Sequence, residues 1–539
     1  VKIKSHPFSE LPFTKLFRDY TNNHNDITHF FDGSPFDDEF LDKRVMQHEF
    51  NGDRTQLADQ LIEFNSKLEA PDKTLKNIEK FRDDQTLAVV TGQQLSLYGG
   101  PSFTVYKVLT AIILAEKWEK KYKKKFVPVF WLADEDHDFD EIASVGIPSD
   151  EGANKLTLSS EPGDKRVSEL YLDEALNELK EKIKTELGST DFSDDLWSML
   201  DSCYNAEETV RTSFAKLLFS LFGKYGLVLA GSNSDSIKMI VNSTIIKCID
   251  KKEEVYQQLT DTTDKLIEAG YHGQVKVQKS NLFWIDDNGK RVKLNYDSER
   301  WIAEGNGNNS WTNEELKSVA KNNPNRLSPN VFLRPVIQDA FLPTLAYVGG
   351  PGEIAYYAQM KSLYSIFDKT MPVIMPRFSA TIIESGIERI LEKLSFNIAE
   401  YHNRIEELET KYIQSTDSPD IEALFAEWKR KVEDITSKMK PMVAEIDPTL
   451  ENTAGKASAT YYTELDKLKG KMYRSLKQQE KTQINRISKI KNTLFPNGNL
   501  QEREVAFIYF MNKYGLTVWD DVFDSFEQEM PENHKLIYL

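Results

Sequence analysis

Four stretches of this chain place reactive side chains beside apolar runs. The first is TGQQLSLYGGPSFTVYK, residues 91–107, which follows Leu87-Ala88-Val89-Val90 and leads into a helix-forming segment from about Phe103 to Glu119. Gly92, Gly99 and Gly100 permit close approach and positive φ, and the N–H groups of a helix's first turn favour an anion. Thr91, Gln93, Gln94, Ser102 and Thr104 add neutral polar groups, and Lys107 adds a cation one turn into the helix. A strand, a glycine-bearing loop and a helix N-terminus together make a nucleotide site. The spacing fits neither GxxxxGK[ST] nor GxGxxG, so this is another kind of strand-loop-helix.

The second stretch, WLADEDHDFDEI at 131–142, puts Asp134, Glu135, Asp136, His137, Asp138, Asp140 and Glu141 at the carboxyl end of a predicted strand, where open α/β sheets bind ligands. Such a cluster can hold a substrate ammonium, bind Mg²⁺ through oxygen, or tune a general base. One histidine with carboxylates is a poor zinc set, and no metal ligands are assigned. The third stretch runs from Val331 to Tyr364. Gly349-Gly350-Pro351-Gly352-Glu353 precedes a helix, with Pro351 suited to the first turn and Glu353 to a ribose or an amine. Arg334, Gln338 and Asp339 come before it, at what reads as another strand end. In the fourth, MPRFSATIIES at 375–385, Arg377, Ser379 and Thr381 offer a cation and hydroxyls that can clamp phosphate oxygens.

The elements that must position these residues alternate. Runs at Leu87–Val90, Val127–Ala133 and Leu227–Gly231, each preceded by an amphipathic stretch, predict a parallel sheet with helical crossovers, resuming at Val331–Val336 and Pro372–Pro376. The expected fold class is α/β: a Rossmann-like core in pieces (1–146, 206–254 and 331–386) interrupted by insertions at 147–205 and 255–330. The second insertion alternates apolar and polar residues around Asp287-Asn288-Gly289, which reads as a hairpin, followed by the polar loop GNGNNSWT. From 387 the apolar residues Ile387, Leu391, Leu394, Ile398, Tyr401, Ile405, Leu408 and Tyr412 form a heptad seam. Helical patterning breaks near Thr416–Pro419, returns, stops at Pro441–Pro448 and recurs to Leu494. This predicts a long helical hairpin over 387–495, with dimerisation through it and a tail at 496–539 packing on the core.

Length and composition narrow the class. The chain's 539 residues suffice for several domains, and a net charge of −17 argues against a nucleic-acid partner. The one dense basic run, Lys117 with Lys120, Lys121, Lys123, Lys124 and Lys125, falls at a predicted helix C-terminus, where cations complement the macrodipole. Two cysteines, Cys203 and Cys248, form no CxxC pair and suggest a reduced compartment. With no signal peptide and no window of about 20 apolar residues, the expectation is a soluble cytoplasmic protein without a membrane partner.

TGQQ…GGPSFTVYK, PVFWLADEDHDFDE, LRPVIQDAFLPTLAYVGGPGEIAYYAQ and PRFSATIIE, in this order and followed by a helical arm, resemble the BshC family, the cysteine ligases of bacillithiol biosynthesis. The resemblance covers essentially the whole chain. It implies a Rossmann-type core with two connecting-peptide insertions and a coiled-coil domain, and a final biosynthetic step joining cysteine to glucosaminyl-malate. The family's core is similar to class I aminoacyl-transfer-RNA synthetases, which activate carboxylates with ATP. By that similarity GGPSFTVYK stands in the place of the HIGH signature and PRFSA in that of the KMSKS loop, although neither signature is literally present.

On this reading ATP lies across the switch in strand order. Its phosphates sit near Ser102, Thr104, Lys107 and Arg377, its purine and ribose near Gly349–Glu353, including Gly350 and Gly352, and Gly92 and Ser379 also bind the nucleotide. Gln93, Gln94, Glu135, Asp138, Arg334 and Asp339 position substrate, Asp136 or His137 accepts the amine's proton, and Mg²⁺ offsets phosphate charge. The same ligation through an acyl phosphate or by a route without ATP, and a noncatalytic, nucleotide-binding dimeric scaffold, are the alternatives.

Overall fold

The computed structural model describes residues 1–160, 163–305, 309–416 and 420–539. Residues 161–162 of the expected first insertion, 306–308 of the polar loop and 417–419 of the expected break in the arm lie outside the described residues. The chain forms two compact units, one of 1–149, 153–384 and 499–539, the other of 150–152 and 385–498.

Five apolar runs make the central sheet of the first unit: β1 (Leu87–Gln93), β2 (Phe126–Leu132), β3 (Val228–Gly231), β4 (Thr344–Gly349) and β5 (Val373–Pro376). All neighbours are parallel, in the order β5-β4-β1-β2-β3. Val89, Val90, Val127, Val129 and Phe130 are fully buried, as strands covered on both faces require. The helix Phe103–Tyr122 carries the chain from β1 to β2. Its Ala111, Leu114, Ala115 and Trp118 pack with Val89, Phe126 and Leu345, while Tyr106, Val108, Leu109 and Ile112 join a second core.

The strand predicted at Val331–Val336 is instead the start of a helix, Leu333–Phe341, and the sheet takes the next apolar run, β4. Pro335 falls in the first helical turn, where its missing N–H costs no intrahelical bond, and Asn330 Oδ1 accepts the N–H groups of Phe332 and Leu333 at 3.0 and 3.1 Å. Arg334 and Asp339 therefore stand on a helix and not at a strand end.

Helices Ala175–Leu187 and Ser193–Cys203, in the segment expected as a first insertion, bury Leu179, Ile183, Leu196 and Leu200 in the same core as Phe214, Leu218 and the tail residues Phe507, Met511 and Trp519. Strands Leu282–Ile285 and Arg291–Asp297 pair as a hairpin around the Asn288-Gly289 turn, with Gly289 at φ 88°, and belong to a five-stranded sheet of their own. The C-terminal strand His534–Tyr538 lies between Lys2–His6 and Ala380–Ile383.

In the second unit the seam from Ile387 to Tyr412 is not one helix. It breaks into Ser385–Leu391, a 3₁₀ turn at Ile398–His402 and Ile405–Ser415, because Glu400 caps the N–H of Asn397 at 2.9 Å and starts a new element there. Ile421–Ile446 and Glu451–Gln479 form the long antiparallel pair. Pro441 does not end the first of these helices, which runs through it to Ile446. Ile421, Phe425 and Leu465 are the pair's buried centre, flanked by Lys469–Glu422 and Lys429–Asp466 ion pairs at 2.6 and 2.7 Å. Among the described residues no helix is long and apolar enough to cross a membrane.

Candidate active site

From β1 the chain passes to β2 on one side, while β4 arrives later on the other. This reversal opens a crevice at the carboxyl ends of β1 and β4, the place where such sheets take ligands. A cleft of about 530 Å³ lies there. Gly92 is required at its floor, since a Cβ would stand 2.7 Å from the Trp131 carbonyl oxygen.

Lys107, fully buried, crosses from the helix after β1 to the loop after β4. Its ammonium donates to Gly92 O (2.7 Å) and Gln93 Oε1 (3.0 Å) and pairs with Glu353 Oε2 at 2.5 Å, so its three N–H groups are all engaged. Glu353 also accepts from the Tyr347 hydroxyl (2.5 Å) and from Gly350 N–H (2.8 Å), capping the helix Pro351–Tyr357 that it belongs to. Burial pushes the Glu353 carboxyl up, but Lys107 and these donors outweigh it and hold it below the usual carboxylate range. From Lys107 the hydrogen bonds continue through Gln93 to Gln94 (3.0 Å), whose amide reaches Asp136 Oδ2 (3.5 Å) and Glu141.

Four guanidinium groups line the cleft, those of Arg291, Arg334, Arg377 and Arg503. Arg377 lies flat against the carboxylate of Glu502, with bonds of 2.7 and 3.0 Å, and both partners are buried. Arg334 donates to Gln338 (3.2 Å) and the Tyr356 hydroxyl (3.1 Å), and Arg503 is exposed. Neither Arg334 nor Arg503 has a carboxylate in ion-pair range among the described residues.

The acidic loop supplies the opposite charge. Asp134 is buried beneath it, accepting Ser232 and Asn233 N–H at 3.1 Å each, and burial with the neighbouring Glu135 charge raises its carboxyl to about 6. Burial also acts on Glu135, but the Lys238 ammonium beside it prevails and lowers it. Asp136 faces the cleft 3.9 Å from Arg291. Burial and the charges of Asp136 and Asp138 raise Glu141.

Of the residues singled out in the sequence, Gly92, Gln93, Gln94, Lys107, Glu135, Asp136, Arg334, Gly350, Gly352, Glu353 and Arg377 converge on this cleft. Others do not line it. His137 has Nδ1 3.1 Å from Glu135 O and Nε2 2.9 Å from Gly289 O, which ties the loop to the hairpin turn and leaves neither nitrogen facing substrate. Asp138 caps the short helix Phe139–Ile142. Asp339 is buried under the Tyr364 hydroxyl (2.6 Å). Ser102 donates to Val505 O (2.8 Å) and Ser379 to Glu502 (2.9 Å), so both hold the tail; Thr104 is buried, and Gly349 ends β4 behind Gly350. Cys203 and Cys248 are buried and unpaired, and among the described residues no group of three His, Cys, Asp or Glu side chains forms a metal site.

Residues 1–378 match the family model for the N-terminal Rossmann-like domain of bacillithiol biosynthesis BshC, and residues 380–539 match the model for its C-terminal coiled-coil domain. This chain belongs to the BshC family. Proteins named "Putative cysteine ligase BshC" are similar to it over most of its length. The one from Salinibacter ruber is 32% identical over 87% of this chain and 86% of its own. That from Geobacillus kaustophilus is 31% identical over 98% of both, and that from Chlorobaculum tepidum 30% over 90% and 89%.

The BshC coiled-coil match ends in a tail, 499–539, that belongs to the first structural unit in this chain. That tail supplies Glu502 and Arg503, which sequence reasoning missed. In QERE a glutamate and an arginine near a helix start read as a solvated turn, and nothing local says that Glu502 is buried against a residue 125 positions earlier.

Proposed function

We propose that this chain is a ligase that joins the carboxyl group of cysteine to the amine of glucosaminyl-malate, completing bacillithiol, after activating the carboxylate with ATP. The names of the similar proteins support the cysteine ligation. The observation that carries the reading to this cleft is the mix of charge at the sheet's switch point: Arg334 and Arg503 without carboxylate partners among the described residues, in one cleft with Asp136, Glu141 and the Arg291 beside Asp136. Such a cleft suits anionic phosphates and carboxylates together with an ammonium.

In the proposed reaction a carboxylate oxygen of cysteine attacks the α-phosphorus of ATP and pyrophosphate leaves. The amine nitrogen then attacks the activated carbonyl carbon, the amide C–N bond forms, and the C–O bond to AMP breaks. Asp136 takes the proton released by the amine, since both ring nitrogens of His137 face backbone carbonyls. Lys107 keeps its partners and holds the floor of the cleft, with Gln93 and Gln94 passing its position on to the acidic loop. Mg²⁺ would come with the nucleotide phosphates, keeping most of its waters and needing at most one or two protein carboxylates, for which Glu141 lines the same cleft.

The test is mass spectrometry of a reaction of the purified chain with cysteine, glucosaminyl-malate, ATP and Mg²⁺. Thiol product with AMP is expected. ADP in its place would replace the adenylate with an acyl phosphate, and no product from folded protein would overturn the ligase reading.

The helical pair of the second unit exposes Leu424, Trp428, Ile435, Met439 and Met442. We infer that a second copy covers them in a homodimer, as size-exclusion chromatography with light scattering would show, and a monomer at micromolar concentration would refute.

A further inference from the structure

The tail meets the cleft through two adjacent residues, Arg503, which lines it, and Glu502, which is buried behind its Arg377. Glu502 accepts four hydrogen bonds, two from Arg377, one from the Ser379 hydroxyl (2.9 Å) and one from Ala380 N–H (2.9 Å), so the carboxylate is saturated and the guanidinium plane is fixed. Arg377 also donates to Phe378 O at 2.7 Å. Its Nε, by contrast, is buried without a hydrogen-bond partner. A buried N–H left unmade is costly, and this one lies 3.4 Å from where a Cβ on Gly350 would be. Gly350 carries no side chain over this N–H, and both residues line the cleft.

The tail's position does not depend on Arg503. Gln501 bonds the backbone of Ile382 in both directions (2.7 and 3.0 Å), Val505 O accepts from Ser102 N and Oγ, and Ala506 N donates to Gly146 O. Arg503 follows Glu502 directly and reaches the same cleft with an unneutralised charge.

We propose that Arg377 Nε–H and the Arg503 guanidinium form a two-point anion subsite beside Gly350, built by the C-terminal tail, that receives a phosphate or carboxylate group of a substrate. The identity of the substrate rests on the ligase reading above; the subsite itself does not.

The test is isothermal titration of the full chain with MgATP and, separately, with L-malate, for wild type, Arg503→Ala and Gly350→Ala. Arg503 is exposed, and Gly350 at φ −84°, ψ 176° has backbone that alanine adopts, so both variants should melt within a few degrees of wild type. At least one probe should lose about tenfold or more in affinity in both variants. Loss confined to MgATP assigns the subsite to a phosphate, and loss confined to malate to a carboxylate. Unchanged affinity for both probes in both variants, or a wild type that binds neither, would overturn the subsite. Product formation separates the two ideas. Variants that make product at the wild-type rate with unaltered binding leave the ligase reading and remove the subsite. A wild type that makes no product but shows the binding losses does the reverse.

Discussion

Lys107 Nζ stands 2.5 Å from Glu353 Oε2 across the switch between β1 and β4. The cation that the sequence places at the head of the first helix is thereby committed to a carboxylate from the second glycine loop, and the two loops that flank the crevice are pinned to each other.

Removing one partner of a buried pair leaves the other charge uncompensated. Lys107→Met should lower unfolding free energy by about 3–5 kcal/mol, measured in urea, and abolish product formation. Lys107→Met with Glu353→Gln should recover much of the stability and none of the activity, so the two changes will be far from additive.

His534 lies behind Glu502 with its ring nitrogens 2.8 Å from the Ser379 and 2.9 Å from the Thr381 hydroxyl. Burial lowers its pKa to about 4 from the ordinary 6.5. The unfolded chain therefore binds this proton more readily, and the stability from a neutral His534 is complete above pH 6.5 and lost as pH falls through 4. His534→Gln should remove on the order of 3 kcal/mol from the acid-induced loss. Urea unfolding at intervals between pH 7.5 and 4.5 measures this. An unchanged slope would show that His534 titrates normally.

A Cβ on Gly146 would fall 1.8 Å from Glu504 O, a clash with backbone that no rotamer relieves. Gly146→Ala should push the segment bearing Glu502 and Arg503 off the core, costing about 2 kcal/mol or more and greatly reducing turnover. Arg503→Ala, in contrast, should leave the melting temperature nearly unchanged. Thermal melts of the two variants side by side give the comparison.

Neither cysteine of the chain should react readily in the native protein. Cys203 and Cys248 are buried, and burial pushes the Cys248 thiol up to about 12. Titration with a thiol-reactive chromophore should find almost no fast-reacting thiol in the native protein and two after unfolding.

The strands of the sheet are legible because residues such as Val89 and Val129 are buried on both faces and leave continuous apolar runs. The segment 331–336 is also mostly apolar but becomes helix with its proline in the first turn, a positional effect that composition does not carry. Glycines and polar residues of both loops read as a ligand site, and Lys107 and Glu353 do meet there. The direction of His137 was not legible, since its partners are backbone carbonyls, one of them in a hairpin 152 residues away. Buried charge partners such as Glu502 escape notice for the same reason: the surroundings that make them special are assembled only in three dimensions.

The tail's return to the first unit has a consequence for synthesis. All five strands of the sheet have left the ribosome once Pro376 is out, yet the guanidinium of the next residue must wait 125 positions for its carboxylate. Until then the sheet edge carries an uncompensated cation, and closing that span has an entropic cost that grows only slowly with its length. The cleft is thus finished only after the whole helical arm has been made. A nascent chain halted anywhere in the helical arm holds a full sheet and no working pocket, so competence waits for residues made after the arm.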